Sequence, residues 1–403
     1  MHQNNHYIQK AFIKEYFNST NLFEYNHNKI VSKNVKNIFT ENKLYLKTNG
    51  DNSLEIMFDK YIENEGIKLI RKIGNKEWNG EITRLESYKI RKYFLIHFLR
   101  HPIWLEKERI DKDSWIEMIK KVIEIDVASL IKKVDIDLFH LEEEDYYIFW
   151  FIKGSIMQFC DLEKENDFLL PANLCNQNCI DWTKKNNSLA SEVLKVNPQD
   201  YISIYGMVSN KRLIVLSSTI LVTLINKLLL DNINGIDKNN SLSINIPGID
   251  QMIGFETPEI KHKNNNFKKS SNYSIIGSND NNFRRNFTEY DEEDIFKYRI
   301  IKLNRKNNWI YKINMYKTFS YEPFIFKDLI SQLSDLEYIE KSFNEIKSLK
   351  EYFGNSENDF IKKVKDEKFE HKFFIWKNIP DDSFRELMFF KEKIIEMINN
   401  KSK

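Results

Sequence analysis

The stretch HYIQKAFIKEYF (residues 6–17) decides how the rest of the chain is read. Ile8, Phe12, Ile13 and Tyr16 recur at near-helical spacing, so a short amphipathic helix is expected over 8–17. The period then changes. NLFEYNHNKIVSKNVKNIFTENKLYLK (21–47) alternates, with polar breaks at Asn26-His27-Asn28 and Glu41-Asn42, which predicts two or three short strands. A helix lying against short strands so early in the chain points to an α+β protein, helix-rich, with a small N-terminal β element on a helical bundle.

Working outward, the pattern turns helical at Ser53, a candidate N-cap, with Leu54, Met57, Phe58, Tyr61 and Ile62 on one stripe. A second helix is expected from about Glu81 to His101, ended by Pro102, which turns His101 away from helical geometry. Further helices are expected near 112–133 and 141–160. A second β patch lies near 168–217. It comprises DFLLPANL (167–174) and a hairpin of YISIY (201–205) and RLIVLS (212–217), turned at Ser209-Asn210-Lys211. Between 231 and 290 the composition shifts to Asn, Lys, Ser and Asp, as a linker or long loop does. Residues 291–403 then read as a C-terminal α/β extension, with strands over 295–326 and helices at 327–352, 357–368 and 382–400. The expected division is therefore a domain at 1–230, a linker at 231–290 and an extension at 291–403.

Composition narrows the function classes. Hydrophobic residues make up 41% and charged residues 30% of the 403 positions, enough apolar material for a sizeable core in a soluble chain. The net charge of +2 supplies no global pull toward nucleic acid, so such contact would need a local patch. Three Cys do not make a disulfide scaffold. The opening residues lack a basic and apolar leader, and the longest apolar run, Leu213–Leu230, is interrupted by Ser217, Ser218, Thr219, Asn226 and Lys227. That run reads as a buried strand followed by a core helix, so a cytoplasmic location without membrane contact is the expectation. No GxxxxGK[ST], GxGxxG or GxSxG element occurs, which argues against P-loop, Rossmann and α/β-hydrolase chemistry.

His6, Tyr7, Ile8, Phe12, Ile13, Lys14 and Phe17 together resemble the HYxP-type opening of the bacterial and viral family called domain of unknown function 4238. The order of later segments is similar too. NLFEYN, VKNIFTENKLYL ending near Tyr45, SLEIMFDKYIENE with Glu55 and Glu63, FLIHFLRHP with Arg100, and SNKRLIVLSS each resemble a family segment. Gln9 stands where the family usually has Pro, and Ala11 where it has an aromatic residue. In FLLPANL (168–174), Phe168 and Asn173 are kept, but Ala172 takes the place of an Asp and Leu174 that of a Pro. If that Asp is catalytic in the family, this chain is altered there. Some members occur in antiphage defence loci, so the resemblance implies a defence setting.

Several constellations carry possible chemistry. Glu55, Asp59 and Glu63, at i, i+4 and i+8, form a carboxylate ridge suited to Mg2+ or Mn2+. With Lys60 and Lys68 at hand, the same ridge also reads as a solvated, ion-paired face. In the catalytic reading Glu55 and Glu63 hold the metal, His6 is a base or ligand and Arg100 binds a scissile phosphate. His97 and His101 share HxxxH spacing, but Phe98 stands where a zinc protease has Glu, and a capping role for His101 is the simpler reading. Cys175 and Cys179, with Cys160 further off, read as ordinary thiols. Lys263, Lys268, Lys269, Arg284 and Arg285, interleaved with Phe267, Tyr273 and Phe283, would suit a nucleic-acid backbone with base stacking, or a solubilising loop. Two functions stand on this basis. One is an antiphage effector acting on nucleic acid as a metal-dependent nuclease. The other is a non-enzymatic sensor that binds a phage component or a partner subunit. A homo-oligomer is expected only on general grounds.

Overall fold

The computed structural model describes residues 4–26, 29–102, 105, 110–132, 152, 155–162, 170–171, 175–179, 202–217, 258–262, 266, 268–269, 292–303, 324–334, 336–337, 340–341, 344 and 383–401. Helices and several small sheets make up this part of the chain, an α+β architecture. Most of the helix expected near 141–160, and all of that expected at 357–368, lie outside the described residues.

A strand the sequence did not announce precedes the expected helix. β1 (Asn4–His6) pairs antiparallel with β4 (Thr40–Asn42), His6 opposite Thr40. The amphipathic helix comes next as α1 (Lys10–Phe17) and buries Phe12, Ile13, Tyr16 and Phe17. It ends at Asn18, whose left-handed backbone (φ 48°) stops the helix, as Asn tolerates. β2 (Asn21–Asn26) and β3 (Lys29–Asn34) then form a hairpin.

The next helix is not uniform. α2 (Ser53–Met57) runs into a π-helical turn at Phe58–Glu63 and continues as α3 (Asn64–Gly74). Ser53 is the first helical residue instead of the cap. Asp51 serves this end, accepting from the Ser53 amide at 2.9 Å and its hydroxyl at 3.0 Å while Lys120 pairs with it at 2.8 Å.

The helix expected from Glu81 starts later. Glu81–Thr83 is strand β5, and α4 (Arg84–Leu99) begins behind a capping box. Thr83 accepts from the Glu86 amide at 3.1 Å and Glu86 accepts from the Thr83 amide at 2.9 Å. From Ser87 to Phe98 α4 is buried on nearly every side, which makes it the central helix. Its Lys92 finds partners in that setting: Nζ donates to the Ile123 and Ile125 carbonyls at 2.5 and 2.6 Å. These close the C-terminal end of α5 (Lys112–Glu124), which precedes α6 (Val127–Lys132). Where α3 crosses α4, a Cβ on Gly66 would sit 2.2 Å from the Tyr93 ring, so only glycine allows this approach.

Residues 156–162, expected in part as helix, are strand β6 (Ile156–Leu162). It lies inside a five-stranded sheet with β8 (Cys175–Cys179), β9 (Ile202–Met207), β10 (Arg212–Ser217) and β14 (Ile300–Leu303), in the order β14-β6-β10-β9-β8. Only β14 and β6 are parallel there. The expected hairpin is β9–β10. Arg212 is clasped by Asp161, through Nε at 2.5 Å and a second nitrogen at 2.9 Å, and reaches the Asn75 carbonyl at 3.0 Å. That ties the sheet to the end of α3.

Two further sheets join distant sequence. β12 (Lys268–Lys269), β11 (Glu259–Lys261) and β13 (Ile295–Lys297) continue onto β5. Ile260, Phe296 and Ile82 form its buried row, while Glu81, Lys297 and Glu259 stand in register on the other face. β15 (Phe324–Phe326) inserts between β2 and β7 (Leu170–Pro171), under α7 (Ser383–Lys401), whose Phe390 meets Tyr25 and Phe324. No helix among the described residues is long and apolar enough to cross a membrane.

Candidate functional site

Arg100 organises the N-terminal half. It caps the C-terminal end of α4 and is 1% exposed. One guanidinium nitrogen donates to Glu63 Oε1 at 3.2 Å, another to the His6 carbonyl, and Nε to the Tyr45 hydroxyl at 3.2 Å. Tyr45 in turn donates to the Arg100 carbonyl at 3.3 Å. The guanidinium carbon stands 4.2 Å from the centre of the Phe58 ring. Burial works against its charge, but Tyr45, Glu63 and Glu55 outweigh burial and hold it protonated more firmly than in water. Burial pushes the Tyr45 hydroxyl up to about 12. Arg100 thus turns three of its donors to inward partners and is buried, the opposite of an open phosphate-binding cation.

The π-turn explains how two carboxylates reach this arginine. In an unbroken α-helix each residue advances about 100°, so Glu55 and Glu63, eight apart, would diverge by about 80°. A π-turn closes over five residues instead of four and so absorbs one. Eight positions then behave as about seven, and the divergence falls to about 20°. Glu63 meets Arg100 directly, and Glu55 feels its charge. Asp59 lies within the π-turn and is exposed, so the ridge of three carboxylates resolves into an inward pair and an outward residue.

Glu55 is the chemically unusual carboxylate. Burial raises its pKa, Arg100 and a hydrogen bond from the Asn5 side chain lower it, and Glu63 and Asp59 raise it again, leaving it above the ordinary value. Among the described residues no donor reaches Glu55 Oε2, Asn5 Oδ1 or Gln9 Oε1, all buried. Gln9, in the place of the usual Pro, donates from Nε2 to the Glu63 carbonyl at 3.4 Å.

His6 contributes its backbone more than its ring. Successive side chains of a strand face opposite ways, so with Asn5 turned to Glu55 the imidazole lies across β1. Burial and then Lys10 lower its pKa, the Ile38 carbonyl raises it, and Arg100 lowers it; neither carboxylate is among these influences. The ring is therefore neutral, and no donor or acceptor among the described residues meets Nδ1.

The other candidates separate. His97 is buried against Tyr93, ring centres 4.4 Å apart, and burial drives its pKa well down. His101 meets the edge of Tyr7 at 5.2 Å. Cys160 is a buried free thiol, pushed up by burial. Among the described residues no three His, Cys, Asp or Glu side chains gather as a metal site. Lys268 and Lys269 form the edge strand β12, while Lys263, Arg284, Arg285 and Ala172 lie outside the described residues. Sequence reasoning missed Asn5 and gave Tyr45 no role; only the alternation of β1 and the Arg100 contacts single them out.

These features define an α+β protein whose N-terminal strand, π-turn and central helix close on one buried arginine. A family model described as protein of unknown function (DUF4238) matches residues 4–223, more than half of the chain. The chain belongs to that family. No curated protein and no solved structure matches it.

Proposed function

We propose that the Asn5–Glu55–Glu63–Arg100 cluster is the reaction centre of a metal-dependent nuclease, and that the protein is a bacterial antiphage effector acting on nucleic acid. The observation that carries the chemistry is Glu55: a half-buried carboxylate with a raised pKa and an oxygen that no donor among the described residues reaches. Such groups are candidates for proton transfer or for a cation. The rare π-turn beside it supports the same reading, since these turns concentrate at functional sites. In this reading Glu55 holds Mg2+ or Mn2+, Arg100 fixes Glu63 and tempers the negative charge, and neutral His6 is the base to be tested. The defence setting rests on the family resemblance alone.

Cleavage assays on single- and double-stranded DNA and RNA with Mg2+ or Mn2+ test it. Glu55→Ala is expected to abolish cleavage, and His6→Ala shows whether the imidazole takes part. Full cleavage by both variants would sink the site.

A second reading, a non-enzymatic sensor binding a phage component or partner subunit, is favoured by Arg100, which is buried and donates to three inward partners. Ala172 at the family's Asp position favours it as well. Phage protection retained without cleavage of any nucleic acid would select this reading.

A further inference from the structure

We propose that Asn5, Gln9 and Glu55 together hold a hard divalent cation through oxygen atoms, and that Asp59 takes no part. The inference deepens the metal-dependent reading above and rests on it, but it names a different ligand set from the carboxylate ridge.

Three observations carry it. First, among the described residues three buried acceptor oxygens, Asn5 Oδ1, Gln9 Oε1 and Glu55 Oε2, meet no partner. A buried acceptor left alone costs about 1–3 kcal/mol, so several together call for a shared positive partner. Asn5 is 1% and Gln9 8% exposed, so bulk water does not serve them. Second, the groups are linked. The Asn5 amide donates to Glu55, and Gln9 reaches the backbone of Glu63, whose carboxylate holds Arg100. Third, the charge is unbalanced. Two carboxylates, Glu55 and Glu63, face one guanidinium, Arg100, so acidic groups outnumber the basic one around it. Neutral amide oxygens beside one carboxylate are the donor set of hard cations, not of zinc or copper. A fourth orphan oxygen, Asn52 Oδ1, stands three residues before Glu55.

The test uses the full chain, stripped with EDTA and titrated with Mg2+, Mn2+ and Ca2+ without nucleic acid, read by thermal unfolding and calorimetry. The wild type and Asp59→Asn are expected to gain several degrees at saturation with the same affinity. Asn5→Leu should weaken binding at least tenfold, and Asn5→Asp, equal in size with added charge, should tighten it. No cation-dependent shift in the wild type would overturn the proposal. So would loss of binding in Asp59→Asn, unchanged affinity in Asn5→Asp, or a response to methylammonium in place of the metals. The wild-type and Asp59→Asn titrations decide the matter even if Asn5→Leu fails to fold. Cation binding without cleavage would defeat the nuclease reading and leave this one standing.

Discussion

Arg100 and Glu63 meet at 3.2 Å across 37 residues of sequence, the arginine 1% and the glutamate side chain 22% exposed. The pair fastens the end of α4 to the end of the π-turn, and through the His6 carbonyl it also holds β1. Four separate sequence segments, with Tyr45 the fourth, therefore depend on one guanidinium.

Removing that guanidinium should be costly. Arg100→Met leaves Glu55 and Glu63 without their counterion and the His6 carbonyl without its donor. A loss of about 3–5 kcal/mol is expected from urea unfolding, since the partner charge stays partly buried. Glu63→Gln keeps a hydrogen-bond acceptor and should cost less. Equal losses in the two variants would mean that the Glu63 charge carries the whole effect and the other guanidinium bonds none of it.

Glu55 should show its environment in the pH dependence of stability. Its folded pKa lies above the ordinary 4.5, so its contribution is complete below that value and is lost as pH rises through the folded value. Glu55→Gln has no proton to lose. Without added metal, Glu55→Gln should be more stable than wild type at neutral pH, with the gap closing below about pH 4.5. Unfolding curves across that range check the sign; a variant less stable at neutral pH would refute it.

The π-turn predicts an unusual tolerance. Deleting exposed Lys60 removes the absorbed residue and lets the segment close as an α-helix, with Glu55 and Glu63 still aligned. Thermal melts should place that variant within about 1 kcal/mol of wild type. Deleting exposed Lys68 from α3 removes a residue from regular helix and turns the remainder of α3 by about 100°. That variant should lose cooperative unfolding. If both deletions behave alike, the alignment argument fails.

Gly66 should resist substitution. A methyl group there meets two Tyr93 ring carbons at 2.2 and 2.4 Å. Gly66→Ala is expected to cost about 1–3 kcal/mol, as overpacking does. Combining it with Tyr93→Leu should restore part of that loss, which a double-mutant cycle would measure.

The helix α1, the strands β2, β3 and β4, and the β9–β10 hairpin were legible because each carries its own period or turn signal. The strand β5 was not. Its three residues read as the start of α4 until β13, far along the chain, pairs with them. β6 was hidden in the same way, because MQFCDL becomes a strand between β10 and β14. Of the site, Glu55, Glu63 and Arg100 were visible from the family pattern. Asn5 was not, because one amide next to a histidine has no signal before β1 fixes which of the two faces inward.

By itself the sequence determined an α+β class, a run of amphipathic elements, membership of one family and a short set of charged candidates. Local periodicity and residue chemistry carry that information. Only the tertiary structure decided which candidates meet. The π-turn rotates Glu63 into line with Glu55, β1 turns Asn5 inward and the His6 ring away, and burial at the end of α4 commits Arg100 to its neighbours. Those outcomes depend on helix phase and desolvation, which arise only when distant segments pack together.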